Sequence, residues 1–232
     1  MKQRVVAEIV GPAGAGKSTL TQVLRQRDGS MRTGLSVWGL PPTLLCLNAV
    51  LSLPRFVGLY RSRGRIRRDE VKLIVRLSAL HQLLGRESSK NYRTLLLDEG
   101  TIFALVKLLA FSDNAKSNGN GNGKSNGKSN HLDAWTQSLL NRWARRLDAV
   151  IWLDAPDEIL AERIRSRGKA HRVKDKTDQE IYDFLARYRD SYERVISELT
   201  ARHGLKVIRF STEHQSLEEM ADQILAGMQE GI

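Results

Sequence analysis

Nine residues near the amino terminus, Gly11-Pro12-Ala13-Gly14-Ala15-Gly16-Lys17-Ser18-Thr19, have the types and spacing of a site that holds phosphate. The glycines let the backbone curl until successive N–H groups point at one centre, and a helix starting there adds its positive end. Lys17 supplies a mobile charge for the outer phosphates, and the Ser18 hydroxyl a ligand for magnesium. Such a loop works only between a strand and a helix. Val5–Val10 is mostly apolar and has buried-strand character, and Leu20, Val23 and Leu24 recur at helical spacing. This flanking order weighs against a glycine-rich turn that matches by chance.

Two further stretches carry chemistry. Thr94-Leu95-Leu96-Leu97 reads as a buried strand ending in Asp98, Glu99 and Gly100. In a parallel sheet the ligand lies at the carboxyl ends of the strands, so these acids are expected to face the phosphate loop. Asp98 is the candidate to orient magnesium through its water shell or to take a proton from an acceptor hydroxyl, with Glu99 as the alternative base. A structural reading, in which the acids cap the next helix, stays open. The third stretch follows a helix from Asp157 to about Arg167, whose end carries Arg163, Arg165 and Arg167. Gly168, Lys169, His171, Arg172, Lys174 and Lys176 come next. A lid loop over 168–178 is expected there, folding over anionic phosphates and excluding water, against the plainer reading of a solvated basic loop.

These groups need a frame. The 232 residues suffice for one substantial core, so a single α/β domain over 1–232 is expected. The lone cysteine, Cys46, cannot form an internal disulfide and is expected to be a small buried residue. Met1 to Arg4 leads straight into the first strand without the form of a signal peptide, and a cytoplasmic location is expected. The net charge of +11 is concentrated: Arg55 to Arg76 contributes +6 and Glu162 to Lys176 contributes +5. Two local basic clusters suit a polyphosphate and a second anion better than a nucleic-acid duplex.

The remaining elements follow from periodicity. Leu35 to Trp38 is expected as a short strand. From Thr33 to Pro54 no residue is charged, but Pro41, Pro42 and Pro54 leave only Thr43 to Leu53 unbroken, well short of the about 20 residues of a membrane span. A helix lining a substrate pocket is expected, with a surface anchor beside the following arginines as the alternative. A helix is predicted over Asp69 to Gly85, whose basic start could grip an acceptor. Another runs from Thr101 to Phe111. Residues 114–130, almost wholly Asn, Gly, Ser and Lys, read as a flexible insertion. A helix over His131 to Leu147 turns Leu132, Trp135, Leu139, Leu140, Trp143 and Leu147 inward. Ala149 to Leu153 is a buried strand stopped by Asp154, which could cap the next helix. Thr177 and Glu180 form a capping box before a long helix, Lys206 to Phe210 is the last strand, and Ser216 with Glu219 opens a terminal helix.

The order of these parts resembles the P-loop nucleoside and nucleotide kinases, in particular the thymidylate kinase-like group. The resemblance spans nearly the whole chain. It is carried by Gly11 to Thr19, by Asp98 where that family places the Asp of an Asp-Arg motif, by Leu153-Asp154-Ala155-Pro156, and by Glu162-Arg163-Ile164 through Arg167-Gly168. It implies a P-loop NTPase three-layer sandwich, with a five-stranded parallel sheet of order 2-3-1-4-5, helices on both faces and a basic lid. The implied activity is transfer of the γ-phosphoryl group of ATP to a small-molecule acceptor, with nucleotides and nucleosides as the leading class. Gly11, Pro12, Ala13, Gly14, Ala15, Gly16, Lys17, Ser18 and Thr19 would cradle ATP, Ser18 and Asp98 would serve Mg2+, Asp98 or Glu99 would activate the acceptor, and Arg163 and Arg167 would neutralise the transferring group. Position 99 is Glu where the family has Arg, and residues 34–68 hold no clear acceptor motif. Nucleic acid is not the expected partner, while peripheral membrane contact and a homodimer stay open. A nucleotide-binding regulatory or membrane-associated protein without transfer is the main rival, and a nucleic-acid-stimulated ATPase rests on net charge alone.

Overall fold

The computed structural model describes residues 4–63, 66–87, 92–108, 138, 140–168 and 171–230. The insertion read over 114–130, and Leu132, Trp135 and Leu139 of the helix read over 131–147, lie outside these residues. Five strands, β1 (Val5–Val10), β2 (Met31–Leu35), β3 (Thr94–Asp98), β4 (Ala149–Asp154) and β5 (Lys206–Ser211), form one parallel sheet of order β2-β3-β1-β4-β5. Helices α1 (Lys17–Arg27), α2 (Pro42–Leu51), α3 (Leu53–Arg63), α4 (Arg68–Glu87), α5 (101–108), α6 (140–144), α7 (Asp157–Ser166), α8 (Asp178–His203) and α9 (Leu217–Glu230) surround it.

The strand period of two divides the core into two layers. Ala7 and Ile9 of β1, Leu96 of β3, and Ile151 and Leu153 of β4 pack with α1, α7 and α9 on one face. Val10, Leu95, Leu97, Val150 and Trp152 pack with α4, α5 and α6 on the other. The same alternation sends Glu8, which is fully buried, to the α5 side. Thr177 and Glu180 form the expected capping box, with Thr177 Oγ1 accepting from Glu180 N and Glu180 Oε2 accepting from Thr177 N. Ser216 and Glu219 do the same ahead of α9.

Three expectations are corrected. The second strand is Met31–Leu35, not Leu35 to Trp38, because Met31 pairs with Thr94 and Leu35 with Leu97, leaving Trp38 beyond the sheet. The uncharged stretch is two helices, since α2 ends at the buried Ser52, whose N–H bonds back to Asn48, and Pro54 then sits in the first turn of α3. Cys46 is exposed, because α2 turns Leu44 and Asn48 inward and 46 falls on its other side. Among the described residues, no helix is long and apolar enough to cross a membrane.

Candidate active site

Register sets the site. Ile9 pairs with Asp98 and Val10 with Trp152, so the carboxyl ends of β1, β3 and β4 lie level. The loop between β1 and α1 leaves the sheet at this edge, and at Gly11 it passes hard against β4. Its φ is +143°, and a Cβ there would stand 2.1 Å from the Leu153 carbonyl oxygen. Only glycine fits that approach. Lys17 folds back over the loop, its Nζ donating to the carbonyls of Gly11 and Pro12 at 2.8 Å each. Burial lowers its pKa to about 8, against the opposing pull of Asp98 and Glu99.

A cavity of about 720 Å3 opens over the loop, within the size range of small-molecule sites. Gly11, Ala13, Gly14, Gly16, Lys17, Ser18, Thr19, Asp98, Glu99, Arg163 and Arg167 all line it. Pro12 and Ala15 are buried behind the loop. Asp98 stands beside Lys17, and burial raises its pKa while the lysine lowers it. Glu99 adopts φ 55°, a left-handed conformation costly for a residue with a side chain, and its carbonyl accepts from Val37 N.

Glu8 holds that turn, and its place in an apolar run gave no signal of this. Its Oε2 accepts from Thr101 N and Ile102 N and its Oε1 from Phe103 N, capping α5 from the middle of β1. Burial raises its pKa to about 7, although these N–H groups pull it down. A Cβ at Gly100 would meet the Glu8 carboxyl carbon at 2.8 Å, so glycine is needed where the chain passes it. The Asp98-Glu99-Gly100 turn is thus tied to the strand that launches the phosphate loop.

The two arginines singled out at the end of α7 differ. Arg163 Nη1 donates to Thr212 Oγ1 at 2.8 Å and Nη2 to the Thr212 carbonyl at 3.0 Å, which engages its guanidinium within the protein. The Arg167 side chain has no hydrogen bond or ion pair among the described residues. Beyond it the segment turns back: Val173 inserts into the core, Lys174 Nζ donates to the Arg167 carbonyl at 2.5 Å, and Arg165 pairs with Asp178. Lys169 lies outside the described residues. Arg167 and Arg172 are the cavity-lining arginines of this segment, Arg167 without a hydrogen bond or ion pair among the described residues and Arg172 stacked over the Phe184 ring.

Asp154 is not a helix cap. The α7 N-cap is Pro156, and the Asp154 carboxylate instead receives two bonds from Arg189 of α8, Nε to Oδ2 at 2.8 Å and Nη2 to Oδ1 at 3.0 Å. Arg189 Nη1 also reaches Asp157. This clamp fixes the end of β4 beneath the loop. It lies a hundred and more residues from the motifs at Gly11, and sequence spacing could not pair it.

Phe103 and Lys107 of α5, His171 and Arg172, and Phe184, Tyr188 and Tyr192 of α8 form the far side of the cavity. Of these, His171 and Arg172 belong to the loop expected over 168–178, while the residues of α5 and α8 carried no signal in the sequence. The rings of Phe184 and Tyr188 lie 4.6 Å apart, and Arg172 stands 5.4 Å over Phe184. Lys107 sits 4.3 Å over Phe103 and 5.1 Å over Trp38, whose other cationic neighbour is Arg76 at 4.4 Å. Burial lowers the pKa of Lys107, and Glu99 partly offsets this. By contrast, no described residue from 33 to 76 lines the cavity, so the expected helix from the uncharged stretch does not form its wall.

No protein-family model and no curated protein matches the chain. Solved structures do. Deoxyadenosine kinase from M. mycoides, solved with dCMP and dCDP, aligns with a TM-score of 0.59 at 15% identity, covering 97% of this chain and 100% of that one. The same enzyme with dATP gives 0.55 at 16% identity, covering 99% and 100%. Thymidylate kinase from Candida albicans gives 0.57 at 13% identity, covering 99% and 92%. The chain has the fold of the P-loop nucleotide kinases.

Proposed function

We propose that the protein is an ATP-dependent phosphotransferase acting on a small-molecule acceptor, with nucleosides and nucleotides as the leading class. The observation that carries this reading is one cavity in which Lys17 and Ser18 of a glycine loop, two carboxylates from the end of β3, and Arg167 and Arg172 converge. Kinases of the same fold bind deoxynucleotides, which supports the acceptor class.

The residues fit a metal-bound triphosphate. Lys17 rests on carbonyl oxygens that a phosphate would replace as partner, and Ser18 and Asp98 line the same end of the cavity. Among the described residues, no group of three His, Cys, Asp or Glu is placed to hold a metal without a nucleotide. Ser18 and Asp98 would hold Mg2+, which when bound neutralises charge on the phosphates. In transfer, an oxygen of the acceptor attacks the γ-phosphorus and the bond to the bridging oxygen breaks, releasing ADP. Asp98 either orients the metal through its water shell or takes the proton of an acceptor hydroxyl, with Glu99 as the alternative base. Glu99, facing Lys107, orients the acceptor. Lys17 and Arg167 balance the charge of the transferring group, and Arg163 positions Gly14 and Thr212.

The test is ADP release from Mg-ATP with and without each of a panel of nucleosides, nucleoside monophosphates and phosphosugars, with Lys17→Ala as the blank. Stimulation by one class that disappears in Lys17→Ala, with the fold retained, is expected. Acceptor-stimulated turnover that persists in Lys17→Ala would overturn the assignment.

A further inference from the structure

All but one of the large hydrophobic side chains exposed among the described residues lie on a single helix pair. Leu47, Val50 and Leu51 of α2 and Leu53, Val57 and Tyr60 of α3 are between 48 and 63% exposed. α2 carries no charged residue, and a helix apolar on every side is normally buried. Here it is not. α2 docks on α4 through a narrow stripe, Leu44 and Asn48, with Asn48 Nδ2 bonded to the Leu44 carbonyl and to Gln82. Among the described side chains of α3, Phe56 packs toward Ile74. Burial of so few positions leaves six large apolar side chains of two consecutive helices outward, a pattern that marks an interaction surface.

The charge around this ridge is of one sign. No acidic residue occurs between Asp28 and Asp69, whereas Arg55 and Arg61 stand exposed on α3 among the apolar side chains. The first acids beyond it are engaged locally, Asp69 by Lys72 and Glu70 by the Arg67 backbone N–H. Arg55 reaches only the Ser78 hydroxyl at 3.4 Å, and Arg61 has no ion pair among the described residues.

We infer that α2 and α3 form a monotopic membrane-docking surface that seats this protein on a bilayer containing anionic lipid. Aliphatic side chains enter the boundary between headgroups and acyl chains, Tyr60 stays at the headgroup level, and Arg55 and Arg61 meet lipid phosphates and carboxylates. A second copy of the chain fits less well: a two-fold contact through this ridge would bring the arginines of both copies together with no carboxylate between them. This surface is separate from the cavity, since none of these residues lines it.

The experiment is flotation of the full chain with vesicles of phosphatidylcholine alone and of phosphatidylcholine with phosphatidylserine, at low and high salt. Enrichment is expected on the anionic vesicles, falling with salt. Arg55→Gln with Arg61→Gln lowers it by a factor on the order of 25, at roughly fivefold per basic residue. Leu51→Ser, Leu53→Ser and Val57→Ser together abolish it, with nucleotide binding as the check that both variants fold. Three results would overturn the inference: no enrichment on anionic vesicles, enrichment indifferent to the serine substitutions, or a dimer in sedimentation velocity that those substitutions split without any vesicle binding.

Discussion

Half-buried Lys17 and fully buried Glu8 have displaced pKa values, and each gives the molecule a pH dependence of its own. Lys17 loses its proton near pH 8 in the free protein, so its charge is complete only below that value. Nucleotide affinity, measured by titration of Mg-ATP at fixed salt, should fall as pH rises through about 8, and Lys17→Ala should flatten the profile. Glu8 works in the opposite register. Its pKa is raised from 4.5 to about 7 in the fold, so between those values the folded state binds the proton that the unfolded chain has released. Stability from this group is therefore present below 4.5 and lost as pH rises through about 7. Glu8→Gln keeps the shape of the side chain. Because the amide resembles the protonated acid and cannot ionise, the variant should lie close to wild type at acidic pH and gain on it as pH rises from 4.5 through about 7. A gap constant with pH in urea unfolding would contradict this account of Glu8. Because the Asp98-Glu99-Gly100 turn hangs on it, the same variant should lower kcat more than it raises KM for ATP.

The elements show what periodicity can and cannot reach. β1, α1 and the phosphate loop were legible because a strand, a fixed motif and a helix follow one another within 27 residues. The capping boxes of α8 and α9 were legible for the same reason: their chemistry spans four residues. Glu8 and Arg189 were not, since a carboxylate that caps a helix 93 residues away and an arginine that clamps an aspartate 35 residues back leave no local pattern. The exposed face of α2 was also hidden, because an uncharged helix reads the same whether it is buried or turned outward. The clamp is a firm element-scale test. Arg189 and its partners Asp154 and Asp157 are mostly shielded, so Arg189→Ala leaves two carboxylates facing each other at the start of α7. A loss of about 2 kcal/mol is expected, read as a fall in Tm of roughly 4–8 °C. Thr177→Ala, which removes only one exposed cap, should cost about 1 kcal/mol.

At the scale of the whole molecule, the net charge of +11 resolves into two clusters with different destinations. The carboxyl-terminal cluster sends Arg167 and Arg172 into the cavity and ties down Arg165 and Lys174. None of the described residues of the first cluster lines the cavity. Neutralising Arg55 and Arg61 should therefore leave acceptor-stimulated turnover in solution unchanged, while Arg167→Gln with Arg172→Gln should lower it by about 10²-fold or more. The glycine loop was readable because such a loop looks alike wherever it occurs, whereas Phe103, Lys107 and the α8 residues reach the opposite wall of the cavity only by folding. The measurement that bears most directly on the central claim is transfer of label from γ-labelled ATP to an acceptor, followed product by product across nucleosides, nucleoside monophosphates and phosphosugars. The account predicts one class of labelled acceptor, formed by the wild type and lost in both Lys17→Ala and Asp98→Asn. Label that appears only as inorganic phosphate across the whole panel, from a protein shown to bind Mg-ATP, would contradict it.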